Sequence, residues 1–116
     1  MANSYWITGL SGAGKSTLAR MLVEHLRNCG RTVVFLDGDD MRAVMGRTNA
    51  HTRDERLDLA LSYGRLGKLI ASQGIDVVIA TISLFHEVHE WNRKNLPGYV
   101  EIYLDVPLEE LKRRDP

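Results

Sequence analysis

The chain of 116 residues has one cysteine, three prolines, 7% aromatics and no net charge, with 15 basic and 15 acidic side chains. Each shortage excludes something. A single thiol, Cys29, makes neither an internal disulfide nor a multi-cysteine zinc site; it fits a reducing compartment, and packing is its expected role. Charge neutrality argues against a polyanion-binding surface, so any basic site has to be local and no nucleic-acid partner is expected. The most apolar stretch, residues 75–82, is broken by Asp76 and is far too short to span a bilayer; with no basic leader at the N-terminus, a cytoplasmic protein without a membrane partner is expected. Hydrophobic residues at 44% and charged residues at 26% are ordinary for a globular chain, and the length allows one domain, residues 1–116.

What the sequence does have is alternation. Strand-like apolar runs at residues 5–8, 32–36, 75–80 and 99–104 are separated by segments of helical period. Leu18, Met21, Leu22, His25 and Leu26 make the stripe of a first helix that stops at Gly30. Residues 53–73 form a longer helix with Leu59, Tyr63, Leu66 and Ile70 on one face, and Gly64 and Gly67 inside it predict close backbone packing. A short helix is expected over residues 85–95 and a last one from Pro107 through Leu108 and Leu111. Strands joined by helices require right-handed crossovers, which predicts an α/β fold: a parallel sheet with helices on both faces and its ligand site at the strand C-termini.

Gly9-Leu10-Ser11-Gly12-Ala13-Gly14-Lys15-Ser16 satisfies G-x-x-x-x-G-K-[ST] and lies between a strand and a helix, where the phosphate loop requires it. Its glycines let successive backbone N–H groups turn inward on phosphate oxygens, and the following helix adds its positive end. Lys15 is expected to reach the β and γ phosphates of a nucleoside triphosphate and Ser16 to ligate Mg²⁺, with Thr17 adding a phosphate contact. Asp37 and Asp39 leave the second strand on the same edge. One is placed to serve the metal through water and the other to take the proton of an acceptor hydroxyl; an Asp-Gly turn with capping is the plain alternative.

These residues resemble the adenylylsulfate kinases, which transfer the ATP γ-phosphate to the 3′-hydroxyl of adenosine 5′-phosphosulfate. The resemblance rests on residues 6–19, on Leu36-Asp37-Gly38-Asp39 with Arg42, on Ile82-Ser83, and on residues 106–116. It implies a three-layer P-loop fold of strand order 2-3-1-4, ATP and Mg²⁺ as cofactors, and a small nucleotide as acceptor. It also implies Asp39 as the group that orients or deprotonates the acceptor hydroxyl, Arg42 and Arg56 as holders of its anionic groups, and Ser83 at the transfer site. Direct in-line transfer is preferred to a phosphoserine at Ser83, because this chemistry needs mainly positioning and charge stabilisation.

The acceptor half departs from the family pattern. Arg56 is followed by residues 57–62 without the usual amide and arginines, and after Ser83 the usual arginine-rich stretch is replaced by residues 84–93, in which Arg93 alone clearly remains. Lost guanidinium forks remove bidentate anion contacts. This half resembles the cytidine diphosphoramidate kinases, a branch that phosphorylates a cytidine nucleotide at its 3′-hydroxyl, and that acceptor stands as the alternative to adenylylsulfate. A nucleotide-binding fragment without catalysis is a further one. Phe85 and Trp91 offer faces for a base, and packing against the sheet accounts for them equally well. His86 and His89 lack a third strong ligand for a metal, so an acceptor-facing pair or simply an exposed helix is expected, and His25 is expected in the core. The family continues beyond the equivalent of Pro116 into a basic lid, a fifth strand and a helix. Without them the domain reads as truncated, with weak ATP binding, little turnover and an unprotected sheet edge open to a homodimer.

Overall fold

The computed structural model describes residues 2–10, 12–46 and 52–105, together with Glu109 and Arg113. The elements run β1 (Ser4–Gly9), α1 (Lys15–Asn28), β2 (Val33–Asp37), α2 (Gly38–Val44), α3 (Arg53–Ala71), β3 (Asp76–Thr81), α4 (His86–Asn95) and β4 (Tyr99–Leu104). The sheet is parallel throughout in the order β2-β3-β1-β4, as the sequence led us to expect. Ser4 pairs with Val77 and with Tyr99, which brings the C-terminal ends of β1, β3 and β4 into line.

The two-residue period of each strand builds the three layers. Trp6, Val77 and Ile79 point to one face and pack with Met41, Leu59, Ala60, Tyr63 and Val88 under α2, α3 and α4. Ile7, Val78 and Ala80 point to the other and pack with Ala19, Val23 and Leu26 of α1. The central strands are thus apolar on both faces, the condition that a parallel sheet covered by helices imposes.

Two expectations fail here, and the Asp-Gly alternative holds in its capping part only. Residues 37–40 are the cap and first turn of the helix α2: the Asp37 carboxylate accepts from the backbone N–H of Asp39 at 2.9 Å. The stripe of α1 is rotated, with Ala19 and Val23 buried in place of Met21, which is 63% exposed, and His25, which is exposed too. Cys29 is likewise exposed, just past the end of α1, rather than packed. The helix expected from Pro107 and the assignment of Ser11 lie largely or wholly outside the described residues.

Asp76 interrupts the apolar run because it anchors the start of β3. Its carboxylate is only 2% exposed, pairs with Arg31 and accepts from Arg31 Nη2 at 2.8 Å and from Asn3 N–H at 2.9 Å. The Arg31 bond holds the carboxyl below its ordinary value of 3.8, against the opposing effect of burial. A depressed folded-state pKa gives stability that is full above the unfolded value and is lost as pH falls through the folded one. Acid unfolding below about pH 4 should therefore weaken in Asp76→Asn, while at pH 7 that variant should be less stable by about 2 kcal/mol. Urea titrations at pH 7 and pH 3 check both signs.

Candidate active site

β1 ends at Gly9 because nothing larger fits: a Cβ there would lie 2.9 Å from the carbonyl oxygen of Leu104. The chain then turns over Gly12 and Gly14, at φ 84° and 95°, into α1. Those values are strained for any residue with a Cβ. Gly14 caps α1 without a side-chain hydrogen bond, whereas α2 and α3 are capped by Asp37 and Thr52. The first N–H groups of α1 therefore remain available to an anion, and the helix dipole favours one. Lys15 Nζ donates to the Leu10 carbonyl at 2.9 Å, folded back across its own loop. Burial draws its pKa down, and the facing carboxylates of Asp37 and Asp39 oppose that shift.

The loop opens on a cleft of about 330 Å³ lined by Gly12, Gly14, Lys15, Ser16 and Thr17 on one side and by Asp37, Gly38, Asp39 and Arg42 on the other, with Ala80, Thr81 and Ile82 as its wall. Two residues expected to serve a metal meet in it: Ser16 Oγ donates to Asp37 Oδ2 at 3.3 Å. The other Asp37 oxygen caps α2, so this one side chain fixes where α2 starts and keeps an oxygen on the cleft. Asp39 and Arg42 lie one helical turn apart and form an ion pair on the cleft side of α2. Gly38 lets α2 approach the wall, since a Cβ there would stand 3.1 Å from Thr81 Oγ1.

The wall is held from behind. Thr8, next to Gly9, donates from Oγ1 to the Ser83 carbonyl at 2.8 Å and accepts from the Ser83 N–H at 3.2 Å. His89 Nε2 donates to the same carbonyl at 3.0 Å. Glu101 lies 3.9 Å from His89 Nδ1 and accepts from the Tyr99 hydroxyl at 2.9 Å and from Arg93 at 2.8 Å. Burial alone would raise the Glu101 carboxyl; the bonds from Tyr99 and Arg93, with His89 nearby, outweigh it and lower it. Thr8→Val keeps the shape of the side chain and removes both bonds, so the Ser83 amide should exchange with solvent about tenfold faster in hydrogen-exchange measurements while the fold is kept.

The predicted residues divide accordingly. The loop residues other than Ser11, with Asp37, Asp39 and Arg42, converge on one edge. Ser83 follows the cleft wall, but its Oγ is buried and, among the described residues, has no hydrogen-bond partner. Arg56 is exposed near the start of α3, and Arg93 is tied to Glu101 across α4 and β4; neither lines the cleft. Phe85 is half-buried against the α2–α4 core, with the Arg53 guanidinium 5.3 Å from its ring centre. Trp91 lies over Gly64, which accounts for it as packing. His86 is exposed, but the His89 side chain is only 12% exposed, contrary to an open helix face, and no cluster of three or more metal-ligating side chains occurs among the described residues. Sequence reading missed Thr8 and His89 as supports of the wall. A threonine directly before the first loop glycine was the one available signal.

Known proteins agree with this geometry. The family described as adenylylsulphate kinase matches residues 1–116. Over 95% of its length the chain is 40% identical to a cytidine diphosphoramidate kinase of Campylobacter jejuni and 36% identical to an adenylyl-sulfate kinase of Picosynechococcus, spanning 64% and 62% of those proteins. The Mycobacterium tuberculosis APS kinase, solved in complex with AMPPNP and APS, superposes over 99% of the chain and 69% of its own, with a TM-score of 0.89 at 29% identity. No helix among the described residues is long and apolar enough to cross a membrane. With a phosphate loop, a facing Asp-Gly-Asp helix start and this match along its whole length, the chain belongs to the adenylylsulphate kinase family of P-loop proteins.

Proposed function

We propose that the protein transfers the γ-phosphate of ATP to the 3′-hydroxyl of a small nucleotide, and that this acceptor is a cytidine nucleotide of the diphosphoramidate type. The observation carrying the transfer is that Lys15, Ser16, Asp39 and Arg42 face one another across a single cleft. Loop amides and Lys15 hold the triphosphate, Lys15 exchanging the Leu10 carbonyl for phosphate oxygens. Asp39 accepts the proton of the acceptor hydroxyl as its oxygen bonds to the γ-phosphorus and the bond to the leaving ADP breaks. Arg42, now on Asp39, steadies that carboxylate and adds charge where phosphate oxygens gather.

Ser16 Oγ and Asp37 Oδ2, two oxygen donors within 3.3 Å of each other, fit a hard cation that takes its remaining ligands from phosphate and water. Bound there, Mg²⁺ supplies charge neutralisation on the β and γ phosphates.

Support for cytidine is the altered acceptor half, residues 57–62 and 84–93, together with the 40% identity to the Campylobacter protein. Adenylylsulfate is the second reading, supported by the family match and by relatives such as the Picosynechococcus enzyme. ADP release by the full-length protein with each acceptor in turn separates them. Faster turnover of cytidine diphosphoramidate is expected; preference for adenylylsulfate rejects the cytidine assignment, and ADP release that needs no acceptor rejects the transfer itself.

A further inference from the structure

Three side chains outside the cleft lining, on the edge of the sheet where the strands end, have no part in the phosphate chemistry. Arg53 opens α3 and Glu87 lies in the first turn of α4. Both helices start on the edge where the strands end: α3 because it runs down to the beginning of β3, α4 because it follows the end of that strand. Arg53 Nη2 donates to Glu87 Oε2 at 2.8 Å, and the guanidinium lies 5.3 Å from the centre of the Phe85 ring. Phe85 comes three residues after Ile82 of the cleft wall and packs on the core cluster that contains Met41, the neighbour of Arg42. The trio therefore lies on the same edge of the sheet as the cleft, three residues along the chain from its wall.

Stability does not account for this arrangement well. The two charged side chains are 61% and 50% exposed, where an ion pair adds little. A cation in the first turn of α3 also meets the unfavourable end of the helix dipole. What the arrangement does supply is orientation. The Phe85 ring lies under the guanidinium and Glu87 takes one of its N–H groups, so two neighbours restrict how it can turn. The bond from Arg53 holds the Glu87 carboxyl below its ordinary range, so it stays an acceptor only, beside a group that is a donor only.

An acceptor beside a row of donors is the complement of one kind of base edge. Cytosine presents its N4 amino donor, then the N3 and O2 acceptors. Glu87 would accept from the amino group while two guanidinium nitrogens donate to N3 and O2, all in the plane of the base. Uracil inverts the first two positions, setting a carbonyl against the carboxylate and an N–H against the guanidinium. Adenine shares the amino group and the ring nitrogen but has a C–H where cytosine has O2, which leaves one Arg53 donor without a partner.

We propose that Arg53 and Glu87, set over Phe85, form the base-reading part of the acceptor site and that the base they fit is cytosine. This rests on the cytidine reading above and locates where it is enforced. The test uses the full-length protein with Mg²⁺–AMPPNP saturating the donor site, and CDP and UDP as calorimetric probes. The wild type should bind CDP about tenfold more tightly than UDP, and Glu87→Gln and Arg53→Leu should each bring that ratio within about threefold while leaving AMPPNP affinity and melting temperature unchanged. A tenfold ratio that survives in both variants overturns this inference and leaves the cytidine reading standing. No preference in the wild type, or tighter binding of adenylylsulfate than of CDP, overturns both.

Discussion

Replacing Lys15 by Ala is expected to weaken Mg²⁺–ATP binding roughly 100-fold or more while leaving the folded state as stable as before. The two halves of that result have different origins. Lys15 contributes little to the fold: its ammonium is partly exposed and its one hydrogen bond goes to the Leu10 carbonyl of its own loop. In the complex the same group is, among the described residues, the only lysine on the cleft lining, and it faces a triphosphate carrying several negative charges. Asp37 and Asp39 remain in the variant, so the cleft changes from balanced to net negative and repels the nucleotide. Lys15→Arg should recover part of the affinity, since charge returns while the reach and fork geometry differ. Calorimetry with AMPPNP and a melting curve read the two halves separately. Undiminished affinity in Lys15→Ala would remove the basis of the proposed function.

The second large effect concerns stability. Gly64→Val should destabilise the protein by about 3 kcal/mol, seen as a drop of roughly 10 °C or more in the melting midpoint, although glycine inside a helix ordinarily costs about 1 kcal/mol relative to Ala. Packing decides the sign. A Cβ at residue 64 would stand 2.6 Å from Asn92 Oδ1 and 3.1 Å from the Trp91 ring. Asn92 is fully buried, its amide nitrogen donating to the Tyr99 hydroxyl at 3.4 Å, so it has little room to turn away. Separating α3 from α4 by even a few tenths of an ångström would loosen the core around Val88 and Tyr63. Gly67→Ala should be milder, because there the nearest atom to the Cβ is the terminal methyl of Ile79 at 3.0 Å rather than a polar atom at 2.6 Å.

The elements that were legible in the sequence are those whose signal is local. The β-branched runs of β2 and β3 and the loop motif carry their own explanation in a few adjacent residues, and the sheet order follows from the family resemblance. Gly64 and Gly67 were readable as close-packing positions because an unforced glycine in a helix asks for a reason. α2 was not readable. It is seven residues long, buries only Gly38 and Met41, and opens with Asp-Gly-Asp, a composition that favours a turn until Asp37 is seen capping it. The stripe of α1 was mis-set because Met21 and His25 sit at helical spacing from Leu18 and Leu22, while two smaller residues, Ala19 and Val23, face the close-lying sheet. Supports that span the chain left no periodic trace: Thr8 meets Ser83 across 75 positions and Arg53 meets Glu87 across 34.

The grip of Thr8 on Ser83 has a thermodynamic implication. Thr8 precedes the first residue of the phosphate loop, and Ser83 follows the surface that an acceptor would touch, so the two proposed substrates would meet opposite ends of one short link. A donor nucleotide that stiffens its end lowers the ordering cost left for the acceptor, and reciprocity requires the acceptor to tighten donor binding by the same factor. The pair of nucleotides should accordingly bind cooperatively, and cutting the link at Thr8 should make the two affinities independent of each other.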